Sequence, residues 1–132
     1  MRSARILVCD DDDIIVQIVT SKLRSEGFNI ATASSGRDAL SLLRAELPDL
    51  LIVDAIMPGL DGIEVLKTVR TDSRLKNLPV MMLSAKRDPE FIAKVIQCGV
   101  TDYVAKPFAL GALARRVKHI VNPDPQDALI LD

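Results

Sequence analysis

Asp49-Leu50-Leu51-Ile52-Val53-Asp54-Ala55-Ile56-Met57-Pro58-Gly59-Leu60-Asp61-Gly62 is the stretch from which the fold can be read. Residues 50–53 form a continuous apolar run, as expected of a parallel strand covered on both faces. The run stops at one carboxylate, Asp54. Met57-Pro58-Gly59 then neither extends a strand nor opens a helix cleanly, and Asp61-Gly62 begins a helical pattern with Asp61 as its cap. Open α/β sheets place their chemistry at the carboxyl ends of their strands. That position marks Asp54 as the working residue.

The same alternation repeats on either side. Residues 5–9 read as a strand, and a helix then starts at Asp12 or Asp13 with Ile15, Ile18, Val19 and Leu23 at helical spacing. Gly27 stops it. A strand over 28–33 is followed by Ser34-Ser35-Gly36, a serine cap for a helix whose apolar face is Ala39, Leu42, Leu43 and Leu47. Beyond the central strand, Ile63, Leu66 and Val69 mark a third helix. A strand over 78–83 ends at Ser84. Asp88-Pro89-Glu90 opens a fourth helix, with proline where its missing N–H costs least and Phe91, Val95 and Ile96 facing inward. Gly99 ends that helix. A fifth strand over 101–105 closes at Lys106-Pro107, and a last helix carries Leu110, Leu113, Val117, Ile120 and Val121.

Five such units without a long linker argue for a single α/β domain over residues 1–121: a doubly wound parallel sheet with helices on both faces. Right-handed crossovers would gather the carboxyl ends of the strands along one edge. A flavodoxin-like order, 2-1-3-4-5, is favoured over a dinucleotide-binding arrangement, because no G-x-G-x-x-G follows the first strand and no phosphate-loop motif occurs. Residues 122–132 carry two prolines in four positions and read as a tail or linker. Ala128 to Leu131 would suit docking on the domain, a dimer contact or the start of a further domain.

Length and composition exclude several classes. A chain of 132 residues has room for a proper core. Its formal net charge of -1 gives no bulk attraction to nucleic acid or to membranes. No apolar run is long enough to span a bilayer. The four apolar residues after Arg5 are too few for a signal peptide, so a cytoplasmic protein is expected. Cys9 and Cys98 lack metal-site spacing, and Cys9 reads as a small core residue. Near the end of the last helix, His119 reads as a cation favoured by the helix dipole.

At the strand ends the topology would assemble Asp10 and Asp11, Asp54, Ser84 and Lys106. Converging carboxylates repel one another and push at least one pKa upward unless a cation sits among them. Hard oxygen ligands with room for water suit Mg²⁺, or Mn²⁺ in its place. Lys106 brings a point charge and Ser84 a hydroxyl for phosphoryl oxygens. Asp54 would thus have what an aspartyl nucleophile in phosphoryl transfer needs. Asp12 and Asp13 fit a helix N-terminus instead.

Four motifs, I-L-V-C-D-D-D (residues 6–12), L-I-V-D-A-I-M-P-G-L-D-G (51–62), V-M-M-L-S-A (80–85) and D-Y-V-A-K-P-F (102–108), occur in order. Together, over about residues 4–121, they resemble the receiver domain of two-component response regulators, relatives of the chemotaxis regulators. The resemblance implies that Asp54 is the phosphoacceptor and Asp11 a direct metal ligand. It implies that Asp10 holds the metal through water and that the Ile56 carbonyl is a further ligand. Ser84 matches the switch hydroxyl, Tyr103 the aromatic whose rotamer follows it, and Lys106 the site lysine, with a cis bond to Pro107. The implied partner is a histidine kinase or a histidine phosphotransfer protein. The implied output is a shift of the face made by the fourth helix, fifth strand and fifth helix. Autophosphorylation and dephosphorylation would be self-catalysed, so the protein is not read as an enzyme.

Three positions depart from common family patterns. Ile56 and Lys86 occupy the two places, second after the acceptor and second after the switch hydroxyl, that tune phosphoryl lifetime in the family. Ala112 stands where the DNA-binding branch usually has a glutamate. Asp102 and Arg116 keep one of that branch's cross-dimer pairs while Ile92 lacks the charge for another, so a homodimer through that face is open. Two rival readings are a degenerate receiver acting as a binding scaffold and an aspartyl-phosphate phosphatase. The complete site opposes the first. The second needs an acid two residues after the nucleophile, where Ile56 stands.

Overall fold

The structure, a computed structural model, describes residues 3–123. The expected tail lies outside the described residues from 124 onward, and with it the alternatives for Ala128 to Leu131. Ten elements alternate: β1 (Arg5–Cys9), α1 (Asp13–Ser25), β2 (Asn29–Ala33), α2 (Gly36–Ala45), β3 (Leu50–Asp54), α3 (Gly62–Thr71), β4 (Val80–Ser84), α4 (Pro89–Gln97), β5 (Asp102–Ala105) and α5 (Leu110–Val121). All strand pairs are parallel, in the order β2-β1-β3-β4-β5. This is the flavodoxin-like doubly wound order read from the sequence.

β3 runs through the middle, and each of its residues is buried. Fully burying a Leu, Ile or Val stabilises by about 1.5–3 kcal/mol, which makes Leu50, Leu51, Ile52 and Val53 an energetic as well as a geometric centre. Side chains alternate across the sheet. Leu51 and Val53 join Leu7, Cys9, Val80 and Met82 in the layer that packs on α2, α3 and α4, with Cys9 in the core as expected. Leu50 and Ile52 join Ile6, Val8, Met81, Leu83 and Val104 in the layer under α1 and α5.

Helix ends follow local chemistry. Asp12, Ser35, Asp61 and Asp88 each accept a backbone N–H of the first turn, and Pro89 occupies the opening turn of α4. Gly27 and Gly99 follow α1 and α4 with φ of 93° and 91°, the left-handed region that suits glycine. The Lys106-Pro107 bond is cis.

Several expected helix faces are narrower than their periodicity suggests. Ile18, Leu42, Leu47 and Ile96 are exposed, and Leu47 lies past the end of α2. Leu40, Val65 and Ala114 take buried places instead. Each helix covers only one side of a sheet, so a single stripe is enough and apolar residues beside it remain in solvent. Strand ends also shift: Ser84 is the last residue of β4 rather than the one after it, and β2, β4 and β5 begin one or two residues later than read.

Candidate functional site

The ladders determine which residues meet. Cys9 pairs with Val53, Asp54 with Leu83, and Ser84 with Ala105. Asp10 therefore lies one step past the ladder, level with Asp54 on the neighbouring strand. Asp10, Asp54 and Lys106 continue the alternation of Val8, Ile52 and Val104, which places all three on the α1 and α5 side. Lys106 starts two rungs further along and two strands away from Asp54. Only a long side chain spans that gap, and its ammonium reaches Asp10 at 3.0 Å and Asp54 at 3.3 Å.

Asp10 is 0% exposed and Asp54 7%. Asp10 Oδ1 accepts the Asp12 N–H at 2.9 Å, which folds the 10–12 turn back over the carboxylate. Asp54 Oδ1 accepts the Ile56 N–H at 3.4 Å in the same way. Burial and the neighbouring Asp10 push the Asp54 carboxyl up to about 6, against the opposing pull of Lys106. For Lys106, burial alone would lower the pKa, yet the hydrogen bond to Asp10 and the charges of Asp54 and Asp10 raise it. One ammonium does not neutralise the carboxylates around it. Burial comes first and repulsion second as causes of the Asp54 shift, so the repulsion expected between the converging acids adds to the effect of burial and does not lead it.

Oxygens of Asp10, Asp11 and Asp54 all lie within 4.8 Å of one another. Three carboxylates, with exposed Asp11 open to water, form a hard-oxygen donor set that fits a small divalent cation. The excess negative charge felt by Asp54 supports the same fit. Ile56, whose N–H meets Asp54, is 50% exposed.

Ser84 is fully buried, and its Oγ accepts the Lys86 N–H at 3.1 Å. The Lys86 carbonyl accepts the Tyr103 hydroxyl at 2.6 Å, and its ammonium sits 4.8 Å from the centre of the Phe91 ring. Ser84 and half-buried Tyr103 are thus linked through one residue, Lys86. Asp102 and Arg116 pair within the same chain at 3.4 Å, and Arg116 also donates to the Tyr103 carbonyl at 3.3 Å.

Two contributors escaped the sequence reading. Gly62 passes so close to the Asp54 carbonyl that a Cβ there would collide with it, and Gly36 stands in the same relation to the Leu60 carbonyl. Small residues opening helices after a loop were the only available signal. The second is Arg87, whose guanidinium donates to the Lys106 carbonyl at 3.1 Å. An exposed arginine in a loop carries no signal of that contact. A cleft of about 280 Å³ between β1, β2 and the end of α2 lies elsewhere, with Arg5 and Glu46, an ion pair, as its charged lining.

Residues 6–118 match the family model of the response regulator receiver domain. The DNA-binding response regulator MtrA of Mycolicibacterium smegmatis is 40% identical over 114 residues, covering 86% of this chain and 49% of MtrA. The chain therefore spans about half the length of that relative. Chemotaxis protein CheY of Pseudomonas aeruginosa is 40% identical over 117 residues, covering 88% of this chain and 94% of CheY. The structure of Vibrio cholerae chemotaxis protein CheY4 superposes with a TM-score of 0.85 at 32% identity, covering 90% of this chain and 99% of the other. With 113 consecutive positions matched, from 6 to 118, and the acidic cluster assembled at the strand ends, the chain belongs to the response regulator receiver domain family.

Proposed function

We propose that Asp54 accepts a phosphoryl group from a phosphohistidine on a histidine kinase or a histidine phosphotransfer protein. The observation that carries this reading is the placement of Asp54: nearly buried, level with Asp10, and reached by Lys106 from two strands away. An Asp54 carboxylate oxygen attacks phosphorus, the P–N bond breaks, and the imidazole leaves with its electron pair. The ionised form is the nucleophile, so a carboxyl raised to about 6 is still mostly charged at neutral pH. Lys106 turns from the carboxylates to a phosphoryl oxygen, and the Ser84 hydroxyl donates to another. Water later cleaves the acyl phosphate, so the protein acts as a self-catalysed phosphoacceptor and not as an enzyme on other substrates.

The reaction takes Mg²⁺ or Mn²⁺. Asp11 and Asp54 would hold it directly, Asp10 through water and the Ile56 carbonyl as a further ligand. When bound, it supplies positive charge for the incoming phosphoryl oxygens.

Ser84 and Tyr103 would carry the change to the face formed by α4, β5 and α5. Turning a 1:99 equilibrium into 99:1 takes about 5.5 kcal/mol of preference for the active state. Two charge-assisted or neutral hydrogen bonds plus the metal are of that order. The receiver unit is residues 1–121, with 122–132 as tail or linker, and the protein works in the cytoplasm without binding nucleic acid or membrane itself. A homodimer through the same face would have to exchange the Asp102–Arg116 contact between chains, because each chain already makes it internally.

Intact mass after incubation with acetyl phosphate, with and without Mg²⁺ and beside Asp54→Asn, tests the acceptor. A Mg²⁺-dependent gain of one phosphoryl group that is absent in the variant supports it. Failure to bind either the phosphoryl group or beryllofluoride, its stable mimic, would leave a binding scaffold.

A further inference from the structure

Backbone pairing of β5 with β4 ends where the Lys106 N–H donates to the Ser84 carbonyl at 2.8 Å. The Lys106 carbonyl lies past the ladder, and Pro107 has no N–H to extend the pairing. That carbonyl accepts from Arg87, three residues beyond Ser84, at 3.1 Å. The Lys106 main chain is therefore gripped on both sides, by the last residue of β4 and by the loop that follows it. On one side is the Ser84 backbone and on the other the Arg87 side chain.

The grip matters because Lys106 works at the end of a long stem. Its ammonium stands two rungs back and across β4, within 3.3 Å of both Asp10 and Asp54. A small rotation of the Lys106 peptide is carried down the stem to the charged end, and misplacement by about 1 Å is enough to slow a positioned reaction. Arg87 is exposed and touches neither carboxylate, so any effect on the chemistry passes through Lys106. We infer that Arg87 is a positioning residue for Lys106, locking the 106–107 segment to the loop after Ser84 so that ammonium and hydroxyl approach Asp54 as one unit. The kinetic part rests on the reading of Asp54 as phosphoacceptor.

The test uses the full chain with Arg87→Met, which keeps an apolar stem and removes the donors, and Arg87→Lys, which keeps the charge and one donor. In metal-free protein, the NMR order parameter of the Lys106 ε-methylene should fall in Arg87→Met and recover in part in Arg87→Lys. Those of Lys22 and Lys118, which pair with Glu26, should not move. With acetyl phosphate and saturating Mg²⁺, loss of one hydrogen bond should lower the maximal rate by about three- to ten-fold with donor KM unchanged. The deficit should persist at about 0.5 M salt, where attraction of the donor by an exposed charge is screened. An unchanged Lys106 order parameter overturns the inference, and so does a rate deficit that vanishes in salt. If the wild type takes up no phosphoryl group, the reading of Asp54 fails, while the order parameter still decides whether Arg87 positions Lys106.

Discussion

Lys106 Nζ lies 3.3 Å from Asp54 Oδ2, yet the carboxyl remains pushed up to about 6. The pairing does not compensate fully for burial and for Asp10. In the metal-free protein Asp54 is therefore a source of instability at neutral pH. Replacement by Asn should stabilise the fold by about 1–3 kcal/mol at pH 7.5. The folded state binds more protons than the unfolded state between about pH 4 and 6, so the wild type should gain stability as pH falls through that window. Urea unfolding at pH 5 and 7.5 checks this: the gap between Asp54→Asn and wild type should narrow at the lower pH.

Removing the ammonium should act in the opposite direction. Lys106→Met leaves Asp10, fully buried, without its cationic partner and should cost about 3 kcal/mol in metal-free protein. Mg²⁺ should then raise the thermal midpoint more in the variant than in the wild type, because no ammonium competes for the carboxylates. Equal shifts in the two proteins would contradict this account.

Gly59, in the loop after β3, and Gly62, which opens α3, should respond differently to alanine. A Cβ on Gly62 would meet the Asp54 carbonyl, so Gly62→Ala must displace backbone next to the site and should cost more than about 3 kcal/mol. Gly59 has open space around it and φ of 72°, so Gly59→Ala should cost only about 1 kcal/mol. Chemical denaturation of the two variants side by side gives the comparison.

The cysteines should differ in reactivity. Burial first, and then the nearby charges of Asp10, Asp38 and Asp54, push the Cys9 thiol up to about 12, and it is enclosed in the core. Cys98 is half-buried. One thiol should react with a disulfide reagent in the native protein at pH 8 and two after denaturation, with peptide mapping placing the first at Cys98.

The architecture was readable because its main signals are local. A buried run ending in Asp54, caps at Ser35, Asp61 and Asp88, and stops at Gly27 and Gly99 each follow from a few neighbouring residues. Exposure of Ile18, Leu42 and Ile96 was not readable, because periodicity shows which face of a helix is apolar and not how much of it the sheet covers. The roles of Gly62 and Arg87 depend on carbonyls that approach only after the chain has folded. Arg70 is a further case: it donates to the carbonyls of Lys76, Leu78 and Gly99, tying α3 to two connections that nothing in its neighbours announces.

Asp10, one step past the end of β1, stands level with Asp54 at the end of the neighbouring strand, so their separation follows from the spacing of parallel strands, about 4.8 Å. The sheet serves as a ruler for the charges, and the loops have little part in setting it. Loops around the site can lengthen, shorten or change composition while that measurement stays the same. A lineage built on this scaffold can therefore vary its surface without rebuilding the chemistry beneath.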